Sequence, residues 1–326
     1  MQSILKNLSD NLNGEIVTYP YDRVYQFNGM PKMIIEEDSK SWALDLVINK
    51  YLKTHPKTPV IANLGTVNIW NKHTTKIINI FNDPYMKAQD VLRKYSKFCY
   101  MDGLVQRMTE LQIRASKGAI NVAISKVTKD AMKDLGIKCD KVIEHGVDDK
   151  IFRPFDKDLR KKYNIPLGKR IGLFVGITHH VKNWEVMKKL MERKDIVWIL
   201  ALKTKIPKAN NPIGKCVFYG SNREQMVEFY NLADFVIIPS FFESFGLVSV
   251  EAGMCGTPVV SSKVGWIQEK GLTDYGIVVD SFKYEDFNRA IDELPNHDFT
   301  PRKYMQKRFD FNKWIDKWKR LTTESE

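Results

Sequence analysis

The sequence of 326 residues has few cysteines, little glycine or proline, and no long apolar run. Its four cysteines are far apart without a C-x-x-C pair, which argues against a disulfide framework or a structural zinc site. Glycine (18) and proline (13) are too sparse for a disordered or fibrous chain. No stretch of 18 apolar residues occurs, and the first ten residues hold no apolar segment typical of a secretory signal. We therefore expect a soluble, cytoplasmic protein whose contact with a membrane is at most peripheral.

The length and the charge of the chain indicate its number of domains and the kind of partner it binds. A chain of this length with 43% hydrophobic residues exceeds one ordinary core and predicts two domains of about 150 residues each. The formal net charge is +12, from 51 Lys and Arg against 39 Asp and Glu. Such an excess indicates an anionic partner: nucleic acid, a phosphate-bearing substrate or an acidic membrane face. A basic nucleic-acid-binding protein remains an alternative, although the lysines are spread over the whole chain and interrupted by acids.

Short apolar segments alternate with segments of helical periodicity along the chain. Uninterrupted apolar runs predict strands that are buried on both faces of a parallel sheet. The predicted strands cover residues 59–62, 77–80, 119–125, 141–143, 170–176, 196–200, 234–239 and 258–261. The predicted helices cover residues 41–53, 126–135, 184–193, 223–232 and 246–254. This alternation predicts an α/β fold with two Rossmann-like, doubly wound lobes.

A segment rich in proline and charge separates the two predicted lobes. Residues 152–168 contain Pro154 and Pro166 and are predicted to form the linker. Within it, Asp156 and Asp158 spell a D-x-D pair, for which capping of the following helix is the better interpretation than metal binding. We expect a first lobe over residues 1–153, a second over 154–300 and a C-terminal helix over 301–326.

The most informative stretch reads PSFFESFGLVSVEAGMCGTPVV and begins at Pro239. Glu243 lies on a loop that leaves the carboxyl end of a strand, where open α/β sheets bind ligands. Gly246 lets the backbone approach a ligand, and the helix that begins there offers free N–H groups to a diphosphate. Glu251, more than one turn into this helix, could accept hydrogen bonds from the vicinal hydroxyls of a sugar.

These residues resemble the GT-B glycosyltransferases, specifically their large retaining family four. The family signature is P-S-x-x-E-x-F-G-x-x-x-x-E-A-x-A-x-G-x-P-V, and only its second small residue is replaced here, by Met254 or Cys255. Downstream, residues 264–269 (VGWIQE) are similar to the family's V-G-G-x-x-E, with Trp266 at the second glycine. A match of this length at fixed spacing is specific.

Weaker likenesses extend over residues 119–320. Residues 142–154 (VIEHGVDDKIFRP) resemble the family's V-I-P-N-G-V-D…F-x-P, with His145 at the asparagine. Residues 176–183 (GITHHVKN) resemble the phosphate-binding G-R-L-x-x-x-K-G turn, with Lys182 at the lysine and Ile177 at the arginine. The resemblance implies two lobes with a deep cleft between them and a terminal helix that crosses back to the first lobe. It also implies that the donor lies mainly on the second lobe and the acceptor on the first.

The resemblance also implies a reaction: transfer of a sugar from a nucleotide diphosphate donor, with retention at the anomeric carbon. It implies that Glu251 holds the ribose hydroxyls, that Glu243 holds the transferred sugar, and that Lys182 stabilises the diphosphate without a metal. No cofactor is expected beyond the nucleotide sugar itself. Further donor contacts are expected from the segment that resembles the phosphate-binding turn (Gly176 and His180) and from the turn of the signature (Ser244, Phe245, Gly246 and Leu247). Tyr219 is expected near the base of the nucleotide.

Several of these residues also have an ordinary structural interpretation. Glu251 could be a surface carboxylate, Lys182 a solvated lysine, and His179 and His180 exposed loop histidines. The first lobe fits the family least: it lacks the opening glycine-rich loop and looks trimmed. Where relatives place a catalytic histidine, this sequence offers Asn82, with Asp83 and His73 as weaker candidates.

Three alternatives to a working transferase stay open. One is an epimerase or phosphorylase of similar fold, which the spacing of Glu243 and Glu251 disfavours. Another is a catalytically impaired homologue that binds nucleotide sugars, because Ile177 and Asn82 depart from the family near the chemistry. The third is the nucleic-acid-binding protein mentioned above. The charge favours an acidic acceptor or an anionic membrane face.

Overall fold

The computed structural model describes part of the chain at residue level. The described residues are 62–63, 66–70, 77–81, 84–96, 105–106, 109–110, 112–113, 116–117, 119–155, 158–203 and 216–323. The helix predicted at 41–53 and the candidates Asn82, Asp83 and His73 lie outside them. Every helix of the described residues is too short or too polar to cross a lipid bilayer.

The secondary structure alternates as an α/β fold requires. The described strands are β1 (Ala62–Asn63), β2 (Thr66–Trp70), β3 (Ile77–Phe81), β4 (Ala119–Ala123), β5 (Lys141–Val142), β6 (Arg170–Gly176), β7 (Ile196–Leu202), β8 (Cys216–Tyr219), β9 (Phe235–Ile238), β10 (Val259–Ser262), β11 (Gly271–Thr273) and β12 (Gly276–Val279). The helices are α1 (Tyr85–Tyr95), α2 (Lys126–Asp134), α3 (Leu159–Lys162), α4 (Trp184–Leu190), α5 (Arg223–Leu232), α6 (Leu247–Met254), α7 (Tyr284–Glu293), α8 (Pro301–Arg308) and α9 (Phe311–Thr323).

The chain divides into two compact units. The first contains the described residues up to Asp90, those between 105 and His145, and those from Lys313 onward. The second contains Val91–Ser96 and the described residues between Gly146 and Asn312. The C-terminal helix α9 thus enters the first unit within its first turn.

The second unit is built on a sheet in the strand order β11-β12-β10-β9-β6-β7-β8. All neighbouring strands are parallel except β11 and β12. The strands β9 and β10 are buried along their whole length because helices cover the sheet, as the apolar runs predicted. Strands β8, β11 and β12 were not predicted. The parallel α/β class of this unit is confirmed.

An apolar core packs against this sheet. Trp198, Leu200, Phe235 and Ile237 are buried in it together with residues of α4 and α7. Gly172 on β6 makes room for this core, because a Cβ there would lie 2.5 Å from the Trp198 ring. This close packing supports the strands whose carboxyl ends lead into the loops described below.

The described sheet of the first unit is mixed rather than fully parallel. Its order is β1-β2-β3-β4-β5, with antiparallel pairs as far as β3 and parallel pairs from β3 to β5. Only residues 64–65 and 71–76 connect the first three strands, which is too short for the crossover that parallel pairing needs. The parallel pairs agree with the predicted Rossmann-like pattern, and the antiparallel strands are an addition to it.

Helix α2 shows why predicted boundaries shift by a residue or two. Ser125 accepts a hydrogen bond from the Thr128 amide at 3.1 Å, and the Thr128 hydroxyl accepts one from the Ser125 amide. This capping box ends the predicted strand early, at Ala123 instead of Ser125. Gly136 has φ +68° after the helix, so its predicted left-handed conformation is confirmed.

Two predicted features near the domain boundary can be checked. Asp158 accepts a hydrogen bond from the Lys161 amide at 3.4 Å, so the capping interpretation is confirmed for this aspartate, while Asp156 lies outside the described residues. His145 is buried beside Trp314 of α9, with ring centroids 6.4 Å apart. Burial lowers the pKa of His145 to about 3, so this histidine is neutral at physiological pH.

Candidate functional site

Three loops follow neighbouring strands of the second unit. Strand β9 lies between β6 and β10, and all three are parallel, so their carboxyl ends share one edge of the sheet. The loops that leave this edge contain residues 177–183, 239–246 and 263–270. Phe241 donates its amide to the Val181 carbonyl at 2.8 Å and ties the first two loops together. The three segments that resemble the family in sequence therefore lie together at this edge of the sheet.

Lys182 and Glu243 form an ion pair across these two loops. The Lys182 Nζ lies 2.5 Å from the Glu243 Oε1, and the same oxygen accepts a hydrogen bond from the Ser240 hydroxyl at 2.7 Å. The side chains are 21% and 17% exposed, so a ligand can reach both charges. Gly176 lies beside this lysine, since a Cβ there would contact the Lys182 Cε at 3.7 Å.

Buried hydroxyls hold the Glu243 loop in place. The Ser262 hydroxyl, at the end of β10, donates to the backbone carbonyls of Ser240 and Ile238 at 2.5 and 3.2 Å. Ser240 and Ser262 are 1% and 0% exposed. This contact fixes the backbone at the exit of β9, and with it the position of the carboxylate three residues on.

The turn at Phe245 and Gly246 begins helix α6. Gly246 has φ +97°, a left-handed conformation that favours glycine, and its carbonyl accepts the Ser249 hydroxyl at 2.6 Å. The predicted helix therefore starts at Leu247 instead of Gly246. Backbone N–H groups in the first turn of an α-helix have no intrahelical acceptor and, with the dipole, favour an anion.

Trp266 secures this turn from the third loop. Its amide donates to the Phe245 carbonyl at 2.9 Å, and its Nε1 donates to the Ser249 hydroxyl at 2.9 Å. Gly265 permits this approach: its φ is +59°, and a Cβ there would lie 2.1 Å from the Phe245 oxygen. Sequence reasoning had treated Trp266 as a departure from a glycine position. Its indole is fully buried against Tyr275, Tyr304 and Phe309.

Glu251 accepts a hydrogen bond from Tyr230, a residue that sequence reasoning missed. The Tyr230 hydroxyl lies 2.7 Å from the Glu251 Oε2, and Tyr230 itself is fully buried. Burial raises the pKa of Glu251 to about 6, and the Tyr230 hydrogen bond partly offsets that rise. A carboxylate at this position is partly desolvated and keeps lone pairs available to hydroxyl donors. An aromatic residue 21 positions earlier gave no sequence signal for this pairing.

The remaining predicted residues lie in different parts of this region. Ser244 and Leu247 flank the turn and are partly exposed. His180 starts the 3₁₀ turn His180–Lys182 and, together with Phe241, lines a cavity. Tyr219 is 41% exposed at the end of β8, and strand β7 separates it from β6. Tyr219 therefore lies at the sheet edge, two strands away from the strand that leads to Lys182.

Replacing Tyr230 by phenylalanine should weaken the nucleotide-sugar binding that the family resemblance implies by about three- to tenfold at pH 7. Loss of the hydroxyl removes the contact that holds down the pKa of Glu251, so more of this carboxyl is protonated at neutral pH. Calorimetric titration of nucleotide sugars measures the effect. Tyr275→Phe is a matched control, since its buried hydroxyl donates to Glu269 at 3.0 Å. Equal affinities for both variants would contradict the role given to Tyr230.

Comparison with known proteins shows which solved structures and which sequence families this chain is similar to. The fold resembles WaaG, a glycosyltransferase of lipopolysaccharide biosynthesis, with a TM-score of 0.67 at 16% identity over 99% of this chain and 96% of WaaG. It also resembles sucrose-phosphate synthase from Thermosynechococcus elongatus, with a TM-score of 0.61 at 18% identity over 74% of this chain and 66% of that protein. These likenesses define a GT-B fold.

Residues 155–309 match the family described as glycosyl transferases group 1. This match confirms the resemblance based on the signature. A D-inositol 3-phosphate glycosyltransferase from Mycobacteroides abscessus is 31% identical over 170 residues, which cover 47% of this chain and 38% of the relative. A counterpart from Arthrobacter sp. is 33% identical over 170 residues, covering 46% and 40%. The matches thus span about two-fifths of the length of these relatives.

Proposed function

We propose that the protein transfers a sugar from a nucleotide diphosphate donor to an acceptor, with retention of anomeric configuration and without a metal. The observation that carries this proposal is the ion pair of Lys182 and Glu243 beside the Gly246 turn, with Glu251 one helical turn further on. A cation, the backbone amides at the start of α6 and two carboxylates are groups that suit a sugar diphosphate.

Each group has a distinct task in this proposal. The amides at the start of α6 and the Lys182 ammonium stabilise the negative charge that grows on the diphosphate as the anomeric C–O bond breaks. Glu243, held by Ser240 and Lys182, accepts hydrogen bonds from hydroxyls of the transferred sugar. Glu251 accepts the ribose hydroxyls. The acceptor oxygen forms the new bond, and its proton leaves with the diphosphate.

Retention and metal independence rest on the family resemblance, and so does the nucleotide sugar as donor. HepE from Anabaena, solved in complex with UDP and glucose, supports the last point by its fold, with a TM-score of 0.57 at 17% identity over 66% of each chain. The acceptor is proposed only as a glycan or lipid-linked molecule, and an acidic group on it or contact with an anionic membrane would account for the +12 charge.

A catalytically impaired homologue is the second candidate. Ile177 stands where the phosphate turn of the family has an arginine, so Lys182 is the cation that this turn offers. Such a protein would bind nucleotide sugars and turn none over. Slow hydrolysis of the donor without acceptor distinguishes the two candidates.

Thermal unfolding with nucleotide sugars tests the proposal. We expect one of UDP-glucose, ADP-glucose or GDP-mannose to raise the melting temperature by several degrees when present at about 100 times its Kd, which corresponds to about 2.7 kcal/mol. The same shift should persist with a chelator. Equal melting temperatures with and without all three donors would contradict donor binding, and loss of the shift with chelator would contradict metal independence.

A further inference from the structure

A cavity of about 760 Å³ lies in the second unit beside the loops of the ion pair. We call it the aromatic cavity because its walls include Tyr95, Trp184, Phe241, Phe282 and Tyr284. Tyr95 contacts Phe282 with ring centroids 4.7 Å apart and is stacked on Phe241 at 6.5 Å, while Phe241 and Phe282 are 5.0 Å apart. Tyr95 is 46% exposed, so part of this aromatic surface faces solvent.

The cavity adjoins the candidate donor site. His180 and Phe241 line it, and each lies two residues from a member of the Lys182–Glu243 pair. Two residues of chain span at most about 7 Å, so a ligand in the aromatic cavity lies close to these charges. Asn183 donates its Nδ2 to the Phe282 carbonyl at 3.0 Å and joins the lysine loop to the far wall.

The charges of the lining are nearly balanced. Lys189 and Lys283 supply two cations, and Glu185, Asp280 and Glu285 supply three carboxylates. These five side chains are exposed around the aromatic rings. Carboxylates and ammonium groups exchange hydrogen bonds with hydroxyls, and aromatic faces pack against the C–H faces of a sugar ring.

Other ligands fit this lining less well. An acyl chain would remove five charged side chains from water without replacing their hydrogen bonds, which is costly. A phosphate would meet more negative than positive charge. A neutral, hydroxyl-rich molecule of moderate size satisfies both the rings and the charges.

We propose that the aromatic cavity binds a neutral saccharide unit of the acceptor. This inference rests on the proposed transferase activity and assigns part of acceptor recognition to the second unit, where the family resemblance implies mainly the donor. The saccharide unit would pack against Tyr95 and Phe282 and hold the acceptor next to the sugar to be transferred.

Fluorine NMR of protein labelled with 5-fluorotryptophan tests this inference directly. The chain has seven tryptophans, and Trp184 lines the cavity whereas Trp198 is fully buried in the core. Trp184→Phe identifies the Trp184 signal. We expect at least one methyl glycoside of glucose, galactose, mannose or N-acetylglucosamine to shift this signal saturably with a Kd of about 1–10 mM and to leave the Trp198 signal in place.

Variants of Tyr95 test whether the aromatic rings of the cavity bind the glycoside that the Trp184 signal reports. Tyr95→Ala should weaken glycoside binding at least fivefold, Tyr95→Phe should retain it, and Leu272→Ala, 56% exposed on β11, should have no effect. Saturable shifts by octyl-phosphocholine alone would overturn the inference in favour of a lipid site. Failure of all four glycosides to move the Trp184 signal would also overturn it.

The glycoside and nucleotide-sugar experiments together show whether this inference or the proposed function has failed. Nucleotide sugars that raise the melting temperature while no glycoside reaches Trp184 would leave the transferase proposal standing and refute the saccharide site. Glycoside binding without any nucleotide-sugar binding would refute the transferase proposal, and with it the assignment of the saccharide as acceptor.

Discussion

Lys182→Ala should lower kcat for sugar transfer by about 100- to 1,000-fold, with a smaller change in KM for the donor. Removing one preorganised donor of positive charge from a developing anion typically costs about 3–4 kcal/mol of transition-state stabilisation. The Nζ has three protons and lies 2.5 Å from the Glu243 Oε1, so it can hold this carboxylate and still donate to a phosphate oxygen. Initial rates of nucleotide release, with saturating donor, measure the loss.

The matched control for this experiment is Lys188→Ala. Lys188 lies on α4 six residues further on and pairs with Glu185 at 2.6 Å on the helix surface. Such a surface pair contributes little, so transfer by this variant should stay within about twofold of the wild type. Lys182→Arg keeps the charge but not the geometry and should recover part of the activity. A loss below threefold in Lys182→Ala would exclude the lysine from leaving-group stabilisation.

The second unit could be predicted from sequence because its signals are local. Buried parallel strands appear as apolar runs, and the helix Arg223–Leu232 was predicted with both of its ends. Its N-terminus is set by Asn222 and Gln225, which form a capping box within four residues. The partly exposed strand β8 and the antiparallel edge strand β11 carry weaker alternation and were missed.

The candidate site could be predicted only in its main residues. The signature located Glu243, Gly246 and Glu251, and the sheet topology brings their loop next to Lys182. Their partners come from elsewhere in the chain and follow no spacing rule. Tyr230 reaches Glu251 across two helices, and Trp266 reaches the Gly246 turn from the loop after β10. Such contacts depend on side-chain packing, which periodicity does not encode.

Trp266 also shows how a departure from a family pattern can be structurally consistent. A glycine at this position could not donate from a side chain, whereas the indole donates to Ser249 and fills the space between Phe309 and Tyr275. The left-handed Gly265 before it is retained, because the Phe245 carbonyl leaves no room for a Cβ. Relative to the family pattern, the backbone of the turn is therefore unchanged, and only the side chain at position 266 differs.

Glu251→Ala should weaken nucleotide-sugar binding by about 100-fold, the second large effect expected. Two ribose hydroxyls donating to one carboxylate form charge-assisted hydrogen bonds, each of which contributes about 1.5–3 kcal/mol. The substitution also leaves the Tyr230 hydroxyl without its acceptor, at a cost in folding stability of about 1–3 kcal/mol. Calorimetric titration with the donor found by thermal unfolding measures the affinity, and a change within twofold would contradict this role.

The pH dependence of donor binding tests whether Glu251 acts through its negative charge or only by filling space. Burial raises the pKa of Glu251 to about 6, so the carboxyl is ionised at pH 8 and becomes protonated as the pH falls through that value. A protonated carboxyl accepts hydroxyls less well, and donor affinity should therefore fall between pH 7 and pH 5 in the wild type. Glu251→Gln has no titratable group and should bind weakly at every pH. Because the diphosphate of a nucleotide sugar is fully esterified and does not titrate in this range, a slope that persists in Glu251→Gln would assign the pH dependence to another residue.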